Sequence, residues 1–229
     1  MRNQQSGFTL VEIAIVLVII GLLLGGVLKG QELINSAKVK NMANDFRNIA
    51  TFVYAYQDKY RALPGDDAAV VNHVNGTLAS TSGQTAGNAQ IQGAWNSTTT
   101  TDESFLFWQH VRLAAMATGT SDTGVADYVP RNAEGGRIGI TSDRVATDTA
   151  ANFPGGFFIC SVMQGRFARQ LDATIDDGNT TSGTMRVIGT GEVASTSTAP
   201  TGGTTPTFGG QANLGPANDG TTYTVCMGN

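Results

Sequence analysis

Residues 6–26 read SGFTLVEIAIVLVIIGLLLGG and decide the fold of the N-terminal part of this 229-residue chain. A short polar segment, in which Arg2 is the only charged side chain, ends at Gly7, and an apolar run then covers residues 8–28. Glu12 is the only ionisable side chain in that run. As an α-helix rising ~1.5 Å per residue, the run extends about 32 Å, enough to cross a hydrocarbon core of about 30 Å. The sequence therefore predicts a membrane-spanning helix over residues 8–28.

Glu12 is the unusual member of this run. A carboxylate costs about 2.5–3.5 kcal/mol near the centre of a bilayer and less near its surface, so an acid inside a span indicates a function and a partner. A secretory signal peptide has an apolar core of about 7–15 residues followed by a small-residue cleavage site. Here the run is longer and no A-x-A site follows it. An ordinary single-pass anchor would leave Glu12 without a role.

Residues 7–12 read GFTLVE, and together with the aliphatic run after them they resemble the N-terminus of type IV pilins and type II secretion pseudopilins. The resemblance is specific to about Tyr60 and looser beyond it. It implies that residues 1–7 are a leader, that a prepilin peptidase cuts between Gly7 and Phe8, and that the same enzyme N-methylates Phe8. It also implies that Glu12 is the glutamate used in filament assembly.

The chemistry of Phe8 and Glu12 supports this interpretation. A terminal α-amine has a pKa of about 7.7–8.0, so the new terminus of Phe8 is largely protonated at neutral pH, and methylation keeps its charge. The amine of a neighbouring subunit can then pair with Glu12 inside a filament. A buried ion pair roughly breaks even in energy but fixes register. Glu12 is thus expected to set the stagger between subunits.

The resemblance implies a structural, non-enzymatic subunit of a type IV pilus or of a type II secretion filament. Its expected partners are other pilin-like subunits, the prepilin peptidase and methyltransferase, the inner-membrane assembly platform and the membrane itself. It would be anchored in the bacterial inner membrane, with its C-terminal domain in the periplasm or outside the cell. The alternative is a minor tip pilin that binds DNA, surfaces or secreted proteins.

The stretch at residues 29–62 predicts an amphipathic helix that continues from the apolar span. Apolar residues recur every three or four positions, which gives one stripe on a helix: Val39, Met42, Phe46, Ile49, Val53, Tyr56 and Tyr60. The sequence Pro64-Gly65 ends the pattern, because proline cannot continue a helix. We expect this helix to be the spine of a globular domain at residues 63–229.

The predicted fold is α+β, a long N-terminal helix packed on a small antiparallel sheet, as in pilins. Residues 103–117 have a helical pattern with Asp102 placed as the N-cap. Short β-branched and aromatic runs bounded by glycine predict strands at residues 153–162, 184–188 and 221–227, within a sheet expected to have four strands. Residues 77–101 and 194–210 are rich in Ser, Thr and Gly and predict long surface loops with little packed structure.

Cys160 and Cys226 are the two cysteines of the chain. An isolated pair in an exported domain usually forms a disulfide. Closing a loop of this size contributes roughly 4 kcal/mol in the chain-entropy model. We expect a structural bond that ties the C-terminal part of the chain to the sheet, in an oxidising compartment.

Residues 175–179 read IDDGN, with Asp172 upstream. Asp176, Asp177 and Asn179 offer oxygen ligands for calcium, but their spacing differs from the EF-hand, which needs oxygens at positions 1, 3 and 5 before its glycine. A tight turn, with Asp and Gly in their usual roles, is the favoured interpretation. We therefore expect no cofactor, with calcium as the alternative.

Other chemistry is not indicated by the sequence. The formal net charge is −4, which argues against non-specific binding of nucleic acid. No Gly-rich phosphate loop, HExxH or C-x-x-C motif occurs. His110 lies in an aromatic-rich stretch and is expected to be a core histidine with its hydrogen bonds satisfied.

Overall fold

A computed structural model describes residues 10–143, 155–193 and 213–229. The chain divides into two compact units, Met1–Lys38 and Val39–Asn229. Helix α1 (Leu10–Tyr60) begins in the first unit and ends in the second. The predicted leader and the predicted loop at residues 194–210 lie outside the described residues.

The second half of α1 has the amphipathic stripe predicted from the sequence. Its buried side chains recur with the expected spacing. Those that belong to the main core of the second unit are Val39, Met42, Ala43, Phe46, Ile49, Ala50 and Val53, and Tyr56 is buried one turn further on. The helix ends at Tyr60, and Arg61 takes a left-handed φ of 57°. A residue in that conformation cannot continue an α-helix, so the helix stops shortly before Pro64.

The described residues form a sheet of four antiparallel strands, as predicted. They are β1 (Ile138–Thr141), β2 (Phe158–Gln164), β3 (Met185–Thr190) and β4 (Thr222–Gly228), in the spatial order β1-β2-β4-β3. The sequence located three of these strands and missed β1. The strand that the sequence predicts from residue 153 begins at Phe158. Before it, Gly155 has a φ of +143°, which is not a strand conformation for residues with a side chain. Its backbone also passes close to the end of β4, where a Cβ would lie 2.7 Å from the Asn229 nitrogen. Residues 153–154 lie outside the described part.

Three further α-helices lie in the described part of the second unit. They are α2 (Val70–Val74), α3 (Glu103–Leu113) and α4 (Gly165–Ile175). Helix α3 ends earlier than the predicted residue 117, since Ala115 takes a left-handed φ of 59°. Helices α2 and α4 were not predicted, although α4 buries Phe167 and Leu171 at helical spacing.

The sheet buries both of its faces. Side chains of one face, such as Ile159, Met163 and Val225, join the main core that contains α1, α3 and α4. The other face carries a smaller cluster of buried side chains: Trp95, Phe158, Cys160, Ile188 and Cys226. The part of the second unit that the structure describes therefore has two apolar clusters, separated by the sheet.

The segment at residues 77–101 is a long loop, as the sequence predicts, but its part at residues 91–95 is packed, contrary to that prediction. Ile91 and Trp95 are buried in the two clusters. The buried carboxylate of Asp66 accepts hydrogen bonds from the backbone N–H groups of residues 87, 88 and 89 at 2.5–3.1 Å. Backbone donors converging on one acid hold the segment in place, which composition alone does not reveal.

Asp102 occupies the N-cap position of α3, but its side chain makes no capping hydrogen bond. The hydroxyls of Thr81 and Ser97 donate to its carboxylate at 2.6 and 2.5 Å. The sequence therefore predicted the position of Asp102 correctly, but the prediction that its side chain caps α3 is wrong. These donors from the 77–101 segment occupy the carboxylate oxygens that a cap would use.

Candidate functional site

The first half of α1 presents an apolar surface in which Glu12 is the only ionisable side chain up to residue 28. Every side chain from residue 10 to residue 28 is exposed, with Leu10 at 91% and Leu22 at 73% of full exposure. By length and composition this helix is able to cross a membrane. Soluble monomers rarely leave contiguous apolar patches larger than a few hundred Å². The segment therefore requires lipid or other protein around it.

Glu12 lies in the first turn of α1 and is exposed. Its helical neighbours Ile15 and Val16 are also exposed, so the carboxylate is set in an aliphatic surface. Gly7 and Phe8 lie outside the described residues.

The same helix contains four glycines, which add no side chain to its surface. Apart from the neighbouring residues and the nearby backbone of the helix itself, no heavy atom of the described residues lies within 4 Å of the position that a Cβ would take at Gly21, Gly25, Gly26 or Gly30. Gly21 and Gly25, and likewise Gly26 and Gly30, are four residues apart, a spacing that allows another helix to approach closely in a membrane. Lys29 then forms an exposed ion pair with Glu32 at 2.7 Å, which marks the end of the apolar surface.

Cys160 and Cys226 form the predicted disulfide. They lie opposite each other in the β2–β4 register and are fully buried. Trp95 packs in the same cluster, and its indole N–H donates to the backbone oxygen of Val193 at 2.7 Å. The bond thus joins two neighbouring strands beneath a packed surface, where it has a structural role.

The two histidines have structural hydrogen bonds. The Gly65 N–H donates to His110 Nδ1 at 2.8 Å, so Nε2 carries the proton and donates to the Thr77 oxygen at 2.9 Å. Burial lowers the pKa of His110, which favours this neutral form. His73 Nδ1 lies 2.7 Å from Asp67 Oδ2, which also accepts from the Tyr56 hydroxyl at 2.7 Å. Burial alone would raise the pKa of Asp67, but the hydrogen bonds from His73 and Tyr56 bring it below its usual value.

The predicted turn at residues 176–179 forms directly after α4. Asp177 Oδ1 accepts from the Asn179 N–H at 2.8 Å, and the Asn179 side-chain oxygen accepts from the Thr181 hydroxyl at 2.8 Å. Asp176 Oδ2 accepts from the N–H of Met185, the first residue of β3, at 2.7 Å. These bonds agree with the turn that the sequence favoured, and they leave the calcium prediction open.

Asp172 is a residue that the sequence did not single out as a ligand. It is fully buried, and neither carboxylate oxygen has a hydrogen-bond partner among the described residues. Burial, and then the charges of Asp176 and Asp177, raise its pKa to about 7. The sequence does carry one signal for this burial: Asp172 follows Ala168 by four residues and Leu171 by one, so a helix places it on their buried face. The signal can be used only once α4 is recognised as a helix.

Glu103 is a second buried acid that sequence reasoning missed. Its Oε2 accepts from the Gln92 N–H at 2.7 Å, and its Oε1 has no partner among the described residues. Burial raises the pKa of Glu103 to about 7, with smaller contributions from the charges of Asp66, Asp143 and Asp102. A glutamate in a first helical turn is ordinarily solvent-exposed, so the sequence carries no signal for this environment.

Comparison with known families finds a match at the N-terminus of the chain. Residues 2–28 match the prokaryotic N-terminal methylation motif, which is the prepilin-type motif of type IV pilins and pseudopilins. This confirms the resemblance seen at residues 7–12, and the matched stretch includes Gly7, Phe8 and Glu12. No curated protein and no solved structure matches the chain.

Proposed function

From the methylation motif at residues 2–28, we propose that this chain is a structural subunit, a pilin or pseudopilin, of a type IV pilus or a type II secretion filament. The observation that carries the proposal is the coincidence of that motif with the exposed apolar half of α1. A filament core or a bilayer supplies the apolar surroundings that this surface needs. The role is non-enzymatic, because the segment acts by packing and by charge pairing.

Maturation is the first step of the proposal. A prepilin peptidase cuts between Gly7 and Phe8, and methylation of Phe8 leaves a cationic terminus at the head of the apolar helix. The pKa of such an amine, about 7.7–8.0, keeps most of it charged at neutral pH.

Assembly is the second step. In the inner membrane the subunit meets the assembly platform and other pilin-like subunits, and Glu12 of one subunit pairs with the Phe8 amine of another. The glycines at positions 21, 25, 26 and 30 give room for close helix contacts. Removing one partner of a buried ion pair costs about 3–5 kcal/mol, so an incoming subunit with an unpaired amine is disfavoured.

The proposed location of the second unit is the periplasm or the cell exterior. The Cys160–Cys226 disulfide supports this, since such bonds persist in oxidising compartments. The proposed anchor is the apolar helix near the N-terminus.

The test compares Glu12→Ala with Glu32→Ala, a matched loss of an exposed acid from the same helix but outside the apolar run. We expect Glu12→Ala to insert into the membrane normally and to reduce filament number by about tenfold or more. Glu32→Ala is expected to assemble like the unchanged chain. Electron-microscopic filament counts and subunit levels in membranes measure the effect, and intact mass of the same subunits reports whether they begin at methylated Phe8.

Normal filaments from Glu12→Ala subunits expressed alone would contradict the assembly step. Subunits that keep residues 1–7 in cells with an active prepilin peptidase would contradict maturation. Purified filaments in which this chain is the principal protein would identify the main subunit. Filaments that carry it only at one end would instead identify a minor tip pilin.

A further inference from the structure

Three carboxylates converge where α4 ends. Asp172 lies in the last turn of the helix, Asp176 is its C-cap residue and Asp177 follows. One carboxylate oxygen from each residue lies within 4.8 Å of the others. Asp172 is buried, Asp176 is half-buried and Asp177 is exposed, so the group extends from the core to the solvent.

The hydrogen bonds around the turn give partners to two of the three acids but not to Asp172. Asp176 and Asp177 accept hydrogen bonds from Met185 N–H and from the Ser182 hydroxyl, respectively. Asp172 is fully buried with two oxygens that accept nothing from the described residues. Leaving a buried polar group unsatisfied costs about 1–3 kcal/mol, and more when the group is charged. Two further carboxylates beside it add repulsion, so a positive partner would stabilise the arrangement.

We propose that Asp172, Asp176 and Asp177 bind a calcium ion at the end of α4. The donor set consists of oxygen atoms only, which suits a hard cation. Oxygens bind Ca²⁺ at about 2.3–2.6 Å, so two ligands on opposite sides of the ion are separated by up to about 5 Å. The observed spacing fits within that limit. Mg²⁺ needs about 2.0–2.1 Å and near-ideal octahedral geometry, which a helix end followed by a turn supplies less readily.

The ion would join three parts of the second unit. Asp172 belongs to the helix, Asp177 belongs to the turn, and Asp176 already accepts a hydrogen bond from the first residue of β3. Calcium would thereby fix the connection from α4 to β3. Because the ligands meet in this geometry only when the chain is folded, calcium is expected to stabilise the folded state.

The experiment uses the full chain in detergent, freed of metal by a chelator. Calorimetric titration with CaCl₂ measures binding, and the melting temperature of the second unit is measured with and without Ca²⁺. We expect a saturable heat and a rise in melting temperature of about 4 °C or more at saturating Ca²⁺. Mg²⁺ at the same concentration is expected to give a much smaller rise.

Two variants and a matched control locate the site. Asp172→Asn keeps the shape but removes the buried charge, and we expect it to abolish the calcium-induced rise without lowering the metal-free melting temperature. Asp177→Asn changes an exposed ligand, which makes misfolding a poor explanation, and should weaken binding by about tenfold. Asp127→Asn changes another exposed acid and should respond to calcium like the unchanged chain.

Absence of a binding heat in the unchanged chain would overturn the proposal. An undiminished calcium response in both Asp172→Asn and Asp177→Asn would also overturn it, because the ion would then bind elsewhere. An equal response to Mg²⁺ would overturn the assignment of the ion as calcium.

Discussion

Glu103 begins α3 with its carboxyl group inside the main core, beside the acids Asp66, Asp102 and Asp143. Its pKa is about 7 in the folded chain, against about 4.5 in a solvated one. Between these values the unfolded chain has lost the proton that the folded chain retains. The free energy of unfolding therefore falls as the pH rises through this window, and it levels off above pH 7.

Glu103→Gln tests this dependence. The amide keeps the acceptor for the Gln92 N–H but does not ionise, so the variant lacks this source of pH dependence. We expect the two chains to have similar stability near pH 4.5 and the variant to be more stable by roughly 3 kcal/mol at pH 8. Urea unfolding of both chains from pH 4.5 to pH 8 measures the difference in their free energies of unfolding. The contributions of other titrating groups largely cancel in this difference, because both chains contain them. A constant difference at every pH would contradict the prediction.

Residues also show where sequence reasoning reaches its limit. The sequence alone predicts a function for Glu12, because an acid within an apolar run is unusual whatever the tertiary structure. Asp172 and Glu103 could not be recognised in the same way, since only the packing of distant segments buries them. The exposure of a carboxylate is a property of the tertiary structure unless its immediate neighbours in sequence are uniformly apolar.

At the scale of elements, the disulfide between β2 and β4 gives the clearest prediction. Replacing both cysteines by alanine removes a constraint on a loop of 66 residues and should lower the free energy of unfolding of the second unit by roughly 4 kcal/mol. Urea unfolding monitored by tryptophan fluorescence reports the change, because Trp95 packs beside the bond.

The single variants provide the control. Cys160→Ala and Cys226→Ala each break the same bond, so each alone should cost about as much as the double substitution. Two smaller losses that add up to the double variant would show that packing of the sulfur atoms, rather than the covalent link, is responsible.

The elements that the sequence located share a strong local pattern. Helix α1 has a long apolar periodicity that ends at Pro64, and β4 is a run of β-branched and aromatic residues. Strand β1 is only four residues long and includes Gly139, which lowers its strand signal. The structure explains that glycine, since a Cβ there would lie 1.8 Å from the Trp95 backbone oxygen. A constraint imposed by a segment more than 40 residues away is invisible in the local sequence.

For the whole molecule, the division into two units predicts that the second is independent of the first. The buried positions of α1 begin at Val39, whereas Leu33 and Ile34 are about 60% exposed. We expect a fragment of residues 36–229 to be a detergent-free monomer that melts within about 3 °C of the full chain, because its cores are complete. Light scattering after size exclusion and thermal circular dichroism measure both properties. Aggregation of the fragment, or loss of a cooperative transition, would contradict the prediction.

The order of the strands has a consequence for synthesis. Strand β4 comes last of the four in sequence, yet it lies between β2 and β3 and pairs with both. While the chain is still being made, β1 can pair with β2, but β3 has no other partner strand among the described residues. Cys160 likewise emerges 66 residues ahead of Cys226. A nascent chain stalled before residue 222 would hold an open sheet edge and a reduced thiol, so closure of the sheet and oxidation of the cysteines would be late, coupled events in its biogenesis.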